Sequence, residues 1–210
     1  MRRLAIVLGI VMILMRGAAL GATGNLSRLK LPSEFTAQIT VEQGASPARS
    51  GTLYFSHGRI RTEMIDPGAP HPVITIVTPR VRRAFLLMPA DNAFAMTPFS
   101  GRAGALSEAM DPRTPRVLTG SEIIGGEKCD KYEIESKDSA VGKIEFWISQ
   151  SARLPVRMII GGSNPATAET TSFSNAKAGR VPETLFVAPP QFRQLEVARP
   201  ASGASAPPAN

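Results

Sequence analysis

One cysteine, two histidines and one tryptophan are all that 210 residues contain of those types. A lone cysteine, Cys129, excludes any disulfide within the chain. The fold must rest on its apolar core, and Cys129 itself is expected as a small buried hydrophobe in a strand. The histidines, His57 and His71, sit beside Gly58 and between Pro70 and Pro72, so they read as turn residues without metal-ligand spacing. No G-x-S-x-G, no glycine-rich phosphate loop ending in Lys-Ser/Thr and no H-E-x-x-H occurs. Glu122 and Glu127 flank a hairpin too polar to hold a buried acid/base pair. Neither an enzyme nor a cofactor is expected.

Long apolar runs are also scarce. The one that stands out is Leu4 to Met15, twelve residues behind Arg2 and Arg3 and ahead of Gly17, Ala18, Ala19, Gly21 and Ala22. It is short of the roughly 20 residues that span a bilayer and has the layout of a secretory signal peptide over residues 1–22. Removing it takes away Arg2, Arg3 and Arg16 and leaves 21 basic against 17 acidic residues, a net +4. A modestly basic chain outside the cytoplasm is expected to touch anionic headgroups weakly rather than to bind nucleic acid. Residues 23–198 suit one domain, expected as a monomer, and the Pro/Ala/Ser-rich residues 199–210 suit a disordered tail.

What is present is strand pattern. In Phe35-Thr-Ala-Gln-Ile-Thr-Val41, Phe35, Ala37, Ile39 and Val41 face one way and the polar residues the other. A hairpin follows, with Leu53 and Phe55 before a turn at His57-Gly58 and Ile60 and Met64 after it. From Thr119 to Met158 the chain reads as four more strands, with turns at Gly125-Gly126 and Lys137–Ser139. About eleven strands are expected, paired antiparallel in sequence order, in a sandwich or barrel. Gly104 to Met110 is the one segment with helical spacing, through Leu106, Ala109 and Met110. Pro182 to Phe192 reads as a cap returning Leu185, Phe186 and Phe192 to the sheet.

Two strands break the alternation. Val73 to Val77 and Ala84 to Met88 are apolar on both faces, whereas an open antiparallel sheet has one wet face. Either both faces are covered, or one lines an apolar cavity with methionine as an adaptable wall. The expected cavity residues are Phe35, Ile39, Leu53, Phe55, Ile60, Met64, Ile74, Ile76, Phe85, Leu87, Phe94, Met96, Phe146, Ile148 and Met158. Arg80, Arg82 and Arg83 form the densest charge cluster, suited to a headgroup or an acidic partner.

The segments GTLYFSHGRIRTEM, Ile74-Thr75-Ile76, TGSEIIGGEKCDKYEI, FWISQSARLPVRM and PETLFVAPPQF together resemble exported proteins with the LolA/LolB-like fold, within an uncharacterised branch. The resemblance spans Phe35 to Phe192. It implies an all-β fold, a curved antiparallel sheet or incomplete β-barrel with a small helical lid over an apolar cavity. It implies as function the binding of an acyl chain, lipid or acylated lipoprotein, in the manner of a carrier. The alternative it leaves open is an envelope sensor or protein-interaction module without a transported ligand. Arg59 and Arg61 lie nearest to the arginine that holds the lid in that family.

Overall fold

The computed structural model describes residues 29–79, 83–98, 101–161 and 168–196. The segments expected as a signal peptide (1–22) and a disordered tail (199–210), with Arg80 and Arg82, lie outside these residues. Twelve strands are present among them: β1 (Glu34–Gln43), β2 (Arg49–Ser56), β3 (Arg59–Ile65), β4 (Val73–Thr78), β5 (Arg83–Met88), β6 (Ala93–Pro98), β7 (Val117–Ile124), β8 (Glu127–Glu135), β9 (Lys143–Ser149), β10 (Pro155–Ile160), β11 (Glu169–Ala178) and β12 (Arg193–Leu195). One α-helix, α1 (Gly101–Met110), separates β6 from β7.

All twelve strands form a single sheet in the order β12-β6-β5-β4-β3-β2-β1-β11-β10-β9-β8-β7. Hairpins build each half, because their turns suit the right-handed twist. His57 and Gly58 both take positive φ (50° and 85°), as do Gly125 and Gly126 (59° and 85°), the geometry of two-residue hairpin loops. Two pairings depart from sequence order. β1 pairs antiparallel with β11 and so joins the two halves. β12 pairs parallel with β6; at three residues it is too short to carry a period, so the sequence pattern does not announce it. β12 and β7 remain unjoined margins, and the sheet curls without closing.

The curl encloses one face. Phe35, Leu53, Phe55 and Ile60 from one half meet Phe146, Ile148, Met158 and Phe173 from the other, with Ala105, Leu106, Ala109 and Met110 of α1 filling the space between. Phe35 and Phe55 stack at 5.0 Å between ring centroids.

The opposite face is dressed in two ways. Over β8–β10, Trp147 is buried beneath Lys131 and Arg157, whose charges lie 4.9 and 5.9 Å from its ring. Lys131 also pairs with Glu145 at 2.9 Å, and Lys143 with Glu133 at 2.8 Å. Over β4–β6, Ile74, Ile76 and Leu87 are buried under Val181 and Phe186, with Phe85, Phe94, Leu185 and Phe192 packed at the edge. The segment from Val181 to Leu195 is thus a strap across the outside, as its apolar points predict. Ile74 and Ile76 are covered on the outer face and Val77 on the inner one, which accounts for the lack of alternation, while Val73 at the strand's start stays 40 % exposed.

Close approach marks one point of the curl. A Cβ on Gly51 of β2 would stand 2.1 Å from the Glu63 carbonyl oxygen and 2.8 Å from Met64 Sδ. Gly51→Ala is expected to lower unfolding free energy by about 1–3 kcal/mol, the usual cost of forcing backbone apart in a packed site. A chemical-denaturation midpoint equal to that of the parent would contradict this contact.

Candidate functional site

The helix owes its position to topology. β6 and β7 lie at opposite sides of one sheet, so the chain joining them must cross, and α1 crosses on the enclosed face. Polar ties then fasten it. At its start, the Gly101 amide donates to Asp138 Oδ2 at 2.9 Å, and the Ala140 amide donates to the other oxygen at 3.0 Å. These two bonds hold the Asp138 carboxyl below its ordinary pKa. In its last turn, Glu108 accepts from Ser136 Oγ at 2.6 Å and from the Lys137 amide at 3.1 Å.

At its end stands Arg116, 1 % exposed. Its guanidinium donates to the carbonyls of Ala109 at 2.9 Å, Thr114 at 3.2 Å and Asp111. A cation there satisfies carbonyls that a helix terminus leaves orphaned and meets the negative end of its dipole. Burial pushes the guanidinium down to about 10, eased by Tyr132 and Asp111. Among the described residues, the side-chain ties of α1 thus run to the β8–β9 connection and the approach to β7. Toward β2 and β4 the helix offers Met110 and a gap.

That gap is an open groove of about 850 Å³. Leu29, Leu31, Pro32 and Ser33 line one side, and Ser107, Met110, Asp111, Pro112 and Arg113 the other. Phe55, the His57-Gly58 turn, Arg59, Thr78 and Pro79 of the sheet and Glu183 of the strap complete the lining. Apolar groups lie within and charged groups around the mouth.

Of the fifteen expected cavity residues, Phe55 borders this groove. The others do not form one lining, because strand alternation divides them. Phe35, Ile39, Leu53, Ile60, Phe146, Ile148 and Met158 are packed in the enclosed core, with Met64 against it. Ile74, Ile76, Phe85, Leu87 and Phe94 belong to the outer cluster under the strap, and Met96, opposite Phe85, shares that face. The register shows why: Val77 and Ala84 stand beside Ile60 on the inside, so Ile76 and Phe85, one residue away, point outward beside Arg61.

Arg83 is exposed, with Nη1 3.6 Å from Met96 Sδ, away from the groove. Arg59 and Arg61 do not hold the lid. Both turn to the outside and hold the strap: Arg61 Nη1 donates to the Leu185 carbonyl at 2.8 Å, and the Arg59 guanidinium lies 4.8 Å over the Phe186 ring. Arg116 holds the helix instead. Nothing local in Asp111-Pro-Arg-Thr-Pro-Arg116 separates it from Arg113, which is 85 % exposed.

Ser56, His57 and Glu34 converge at the mouth, yet they make no relay. The buried Ser56 Oγ donates to Glu34 Oε1 at 2.9 Å and lies 3.1 Å from His57 Nδ1, and the same Nδ1 faces Glu34 at 3.9 Å. One ring nitrogen toward both groups cannot pass a proton between them. The Ser56 bond chiefly lowers the Glu34 pKa. Cys129 is buried as expected, and burial pushes its thiol up, away from the reactive thiolate. A second hollow of about 440 Å³ lies beside Glu127, Ser149 and Leu154; there Glu127 accepts from both Ser149 and Ser151. No group of three His, Cys, Asp or Glu among the described residues could hold a metal ion.

The family model DUF4412, a domain of unknown function, matches residues 34–153, over half of the chain. The chain belongs to the DUF4412 family. No curated protein matches this DUF4412 chain. Among solved structures it is similar to an uncharacterized conserved protein from Thermus thermophilus (14 % identity, TM-score 0.57, covering 80 % of this chain and 92 % of that one). It is also similar to a LolA superfamily protein from Nitrosomonas europaea (13 % identity, TM-score 0.46, 76 % and 93 %). A third is the MucA/MucB complex of Pseudomonas aeruginosa (16 % identity, TM-score 0.44, 79 % and 59 % of the matched chain). The Thermus protein shares the fold; the other two overlap more loosely. The unclosed, curled sheet with its helix inside has the architecture expected from the sequence, a curved sheet with a small helix over one face.

Arg116→Met is expected to cost about 1–3 kcal/mol, since it strands the Ala109 carbonyl while relieving a buried charge. The loss should show as faster hydrogen exchange in α1, and Arg116→Lys should not restore it, because one ammonium cannot serve three carbonyls in a fork. Exchange in α1 unchanged by both variants would refute the tie. Asp138 has a depressed folded pKa, so its stabilisation is complete above the unfolded aspartate value of about 4 and drains as pH falls through the folded value. Asp138→Asn should therefore loosen the first turn of α1 at neutral pH as acid does for the parent, and equal protection of parent and variant would contradict it.

Proposed function

We propose that this protein is exported to the periplasm and there binds a single acyl chain, free or carried by a lipid or an acylated lipoprotein, in the groove beside the end of α1. The observation that carries this reading is the groove itself. At about 850 Å³ it falls within the roughly 300–1,000 Å³ of ligand sites. Leu29, Leu31, Phe55 and Met110 supply an apolar interior, while His57, Arg59, Arg113 and Glu183 ring the mouth.

Two further features support it. The leader-like residues 1–22 fit delivery to a compartment where acylated chains must be shielded from water. The one-sided fastening of α1 leaves the groove side as the one free to widen around a guest. Binding without turnover is the accompanying claim, supported by the Ser56, His57 and Glu34 geometry. The site proposed here lies at one end of the enclosed face, not along its whole length.

A second reading, an envelope sensor or protein-interaction module, is favoured by β7. That margin strand is exposed along most of its length, with Leu118 43 % and Ile123 76 % exposed, and an unpaired strand edge can accept another extended segment.

Native mass spectrometry of protein recovered from the periplasm tests the first reading. A bound lipid or fatty acid is expected, and Leu31→Asp, at a half-buried position before β1, should cut its occupancy severalfold in a folded protein. Retention unchanged by this variant, or no lipid with a partner captured through β7 by crosslinking, would replace the carrier with the interaction module.

A further inference from the structure

Resting on the acyl-chain reading above, we propose that the groove takes an acyl chain bearing an anionic head, and that Arg59 reads that head. Arg59 opens β3 at the mouth of the groove, with its side chain 26 % exposed. Its guanidinium is poorly satisfied. Nε donates to the Ser56 carbonyl at 3.4 Å, and Nη2 donates to Ser56 Oγ at 3.4 Å and to Glu183 Oε1 at 3.3 Å. Charge-assisted bonds of full strength run about 2.7–2.9 Å. Nη1 donates to no described residue.

The Glu183 side chain is 84 % exposed, so water competes for it throughout, and such an ion pair is of the weakest kind. It serves as a placeholder that a better-seated anion displaces. Meanwhile Phe186 supports the guanidinium plane from one face, which keeps its donor edge aimed as a fork suited to carboxylate or phosphate.

The other basic side chains at the mouth are engaged by carboxylates. Arg113 gives Nε and Nη2 to the two oxygens of Asp111 at 3.0 and 2.9 Å. His57 faces Glu34 and Ser56. Arg59 is therefore the rim arginine held by the longest bonds, whereas Arg113 is closed on Asp111 in a short two-point pair. Its position relative to the floor matches an amphiphile. The groove passes over the tip of the β2–β3 turn, from Phe55 on the enclosed side to Arg59 and Glu183 on the other. A hydrocarbon chain laid against Phe55 carries its head around the tip to Arg59.

Titration calorimetry on the exported protein, with three twelve-carbon amphiphiles below their micelle concentrations, tests this. Dodecanoate and dodecyl phosphate carry an anion; 1-monolaurin carries none. At least one anion is expected to bind about tenfold more tightly than monolaurin, the effect of one charge-assisted hydrogen bond, and the better of the two names the head as carboxylate or phosphate. Arg59→Gln should bring that preference to within about twofold. Glu183→Gln removes the competing carboxylate at an exposed position and should raise the preference about threefold.

Equal binding of all three ligands leaves the groove reading standing and overturns the anionic head. Binding of none overturns the acyl-chain reading and this proposal with it. A preference that survives Arg59→Gln in a folded protein takes the role from Arg59. Should that variant fail to fold, Glu183→Gln decides: an unchanged preference refutes the placeholder and with it the assignment.

Discussion

Everything in this molecule follows from where the chain stands when it leaves β6. The first six strands have been laid down as hairpins, and the next strand, β7, belongs at the far margin of the same sheet. The halves are joined edge to edge through β1 and β11. The connecting residues must therefore traverse the sheet's full width, and a helix whose apolar residues sit at Ala105, Leu106, Ala109 and Met110 does so where burial rewards it. That crossing in turn requires a buried cation at the helix end, since the carbonyls there lose access to water. It also fixes where space remains, on the side to which no polar tie runs.

Strand periodicity made much of this readable. The alternation of Phe35, Ala37, Ile39 and Val41, the His57-Gly58 and Gly125-Gly126 corners and the helical spacing before Met110 correspond to β1, two tight hairpins and α1. The cap from Pro182 onward also matched, because three large apolar residues in a polar neighbourhood must find cover. The lining was not readable in the same way. Where both faces of β4 and β5 are apolar, the pattern is silent on which face turns inward, and Ile76 and Val77 are equally good candidates. The register with β3 settles it, and register is a property of pairing rather than of composition. Arg116 stayed hidden for a related reason: its value lies in how the chain just before it folds back to aim the Ala109, Asp111 and Thr114 carbonyls at one guanidinium, which residue types alone do not encode.

The arginines divide the labour by environment. Arg116, buried and bonded to main-chain carbonyls, is structural. Arg61, half satisfied by Glu63 at 2.7 Å and by the strap, fastens the outside. Arg113 is neutralised by Asp111 beside it. Arg59 alone among these four combines partial exposure, long bonds and a place on the groove wall. The same side chain therefore belongs to the strap, through Phe186 and Glu183, and to the mouth of the groove, so an event at one is felt at the other without any intervening machinery.

The connection through α1 has a mechanical meaning as well. A curled ribbon whose β6 and β7 are bridged by one segment of chain is a strung bow. Flattening the ribbon lengthens the span between β6 and β7, and a helix rising about 1.5 Å per residue has slack to give only by unwinding. Curvature and helicity are thereby geared to each other: whatever spreads the bow draws the string taut, and its relaxation lets the string recoil.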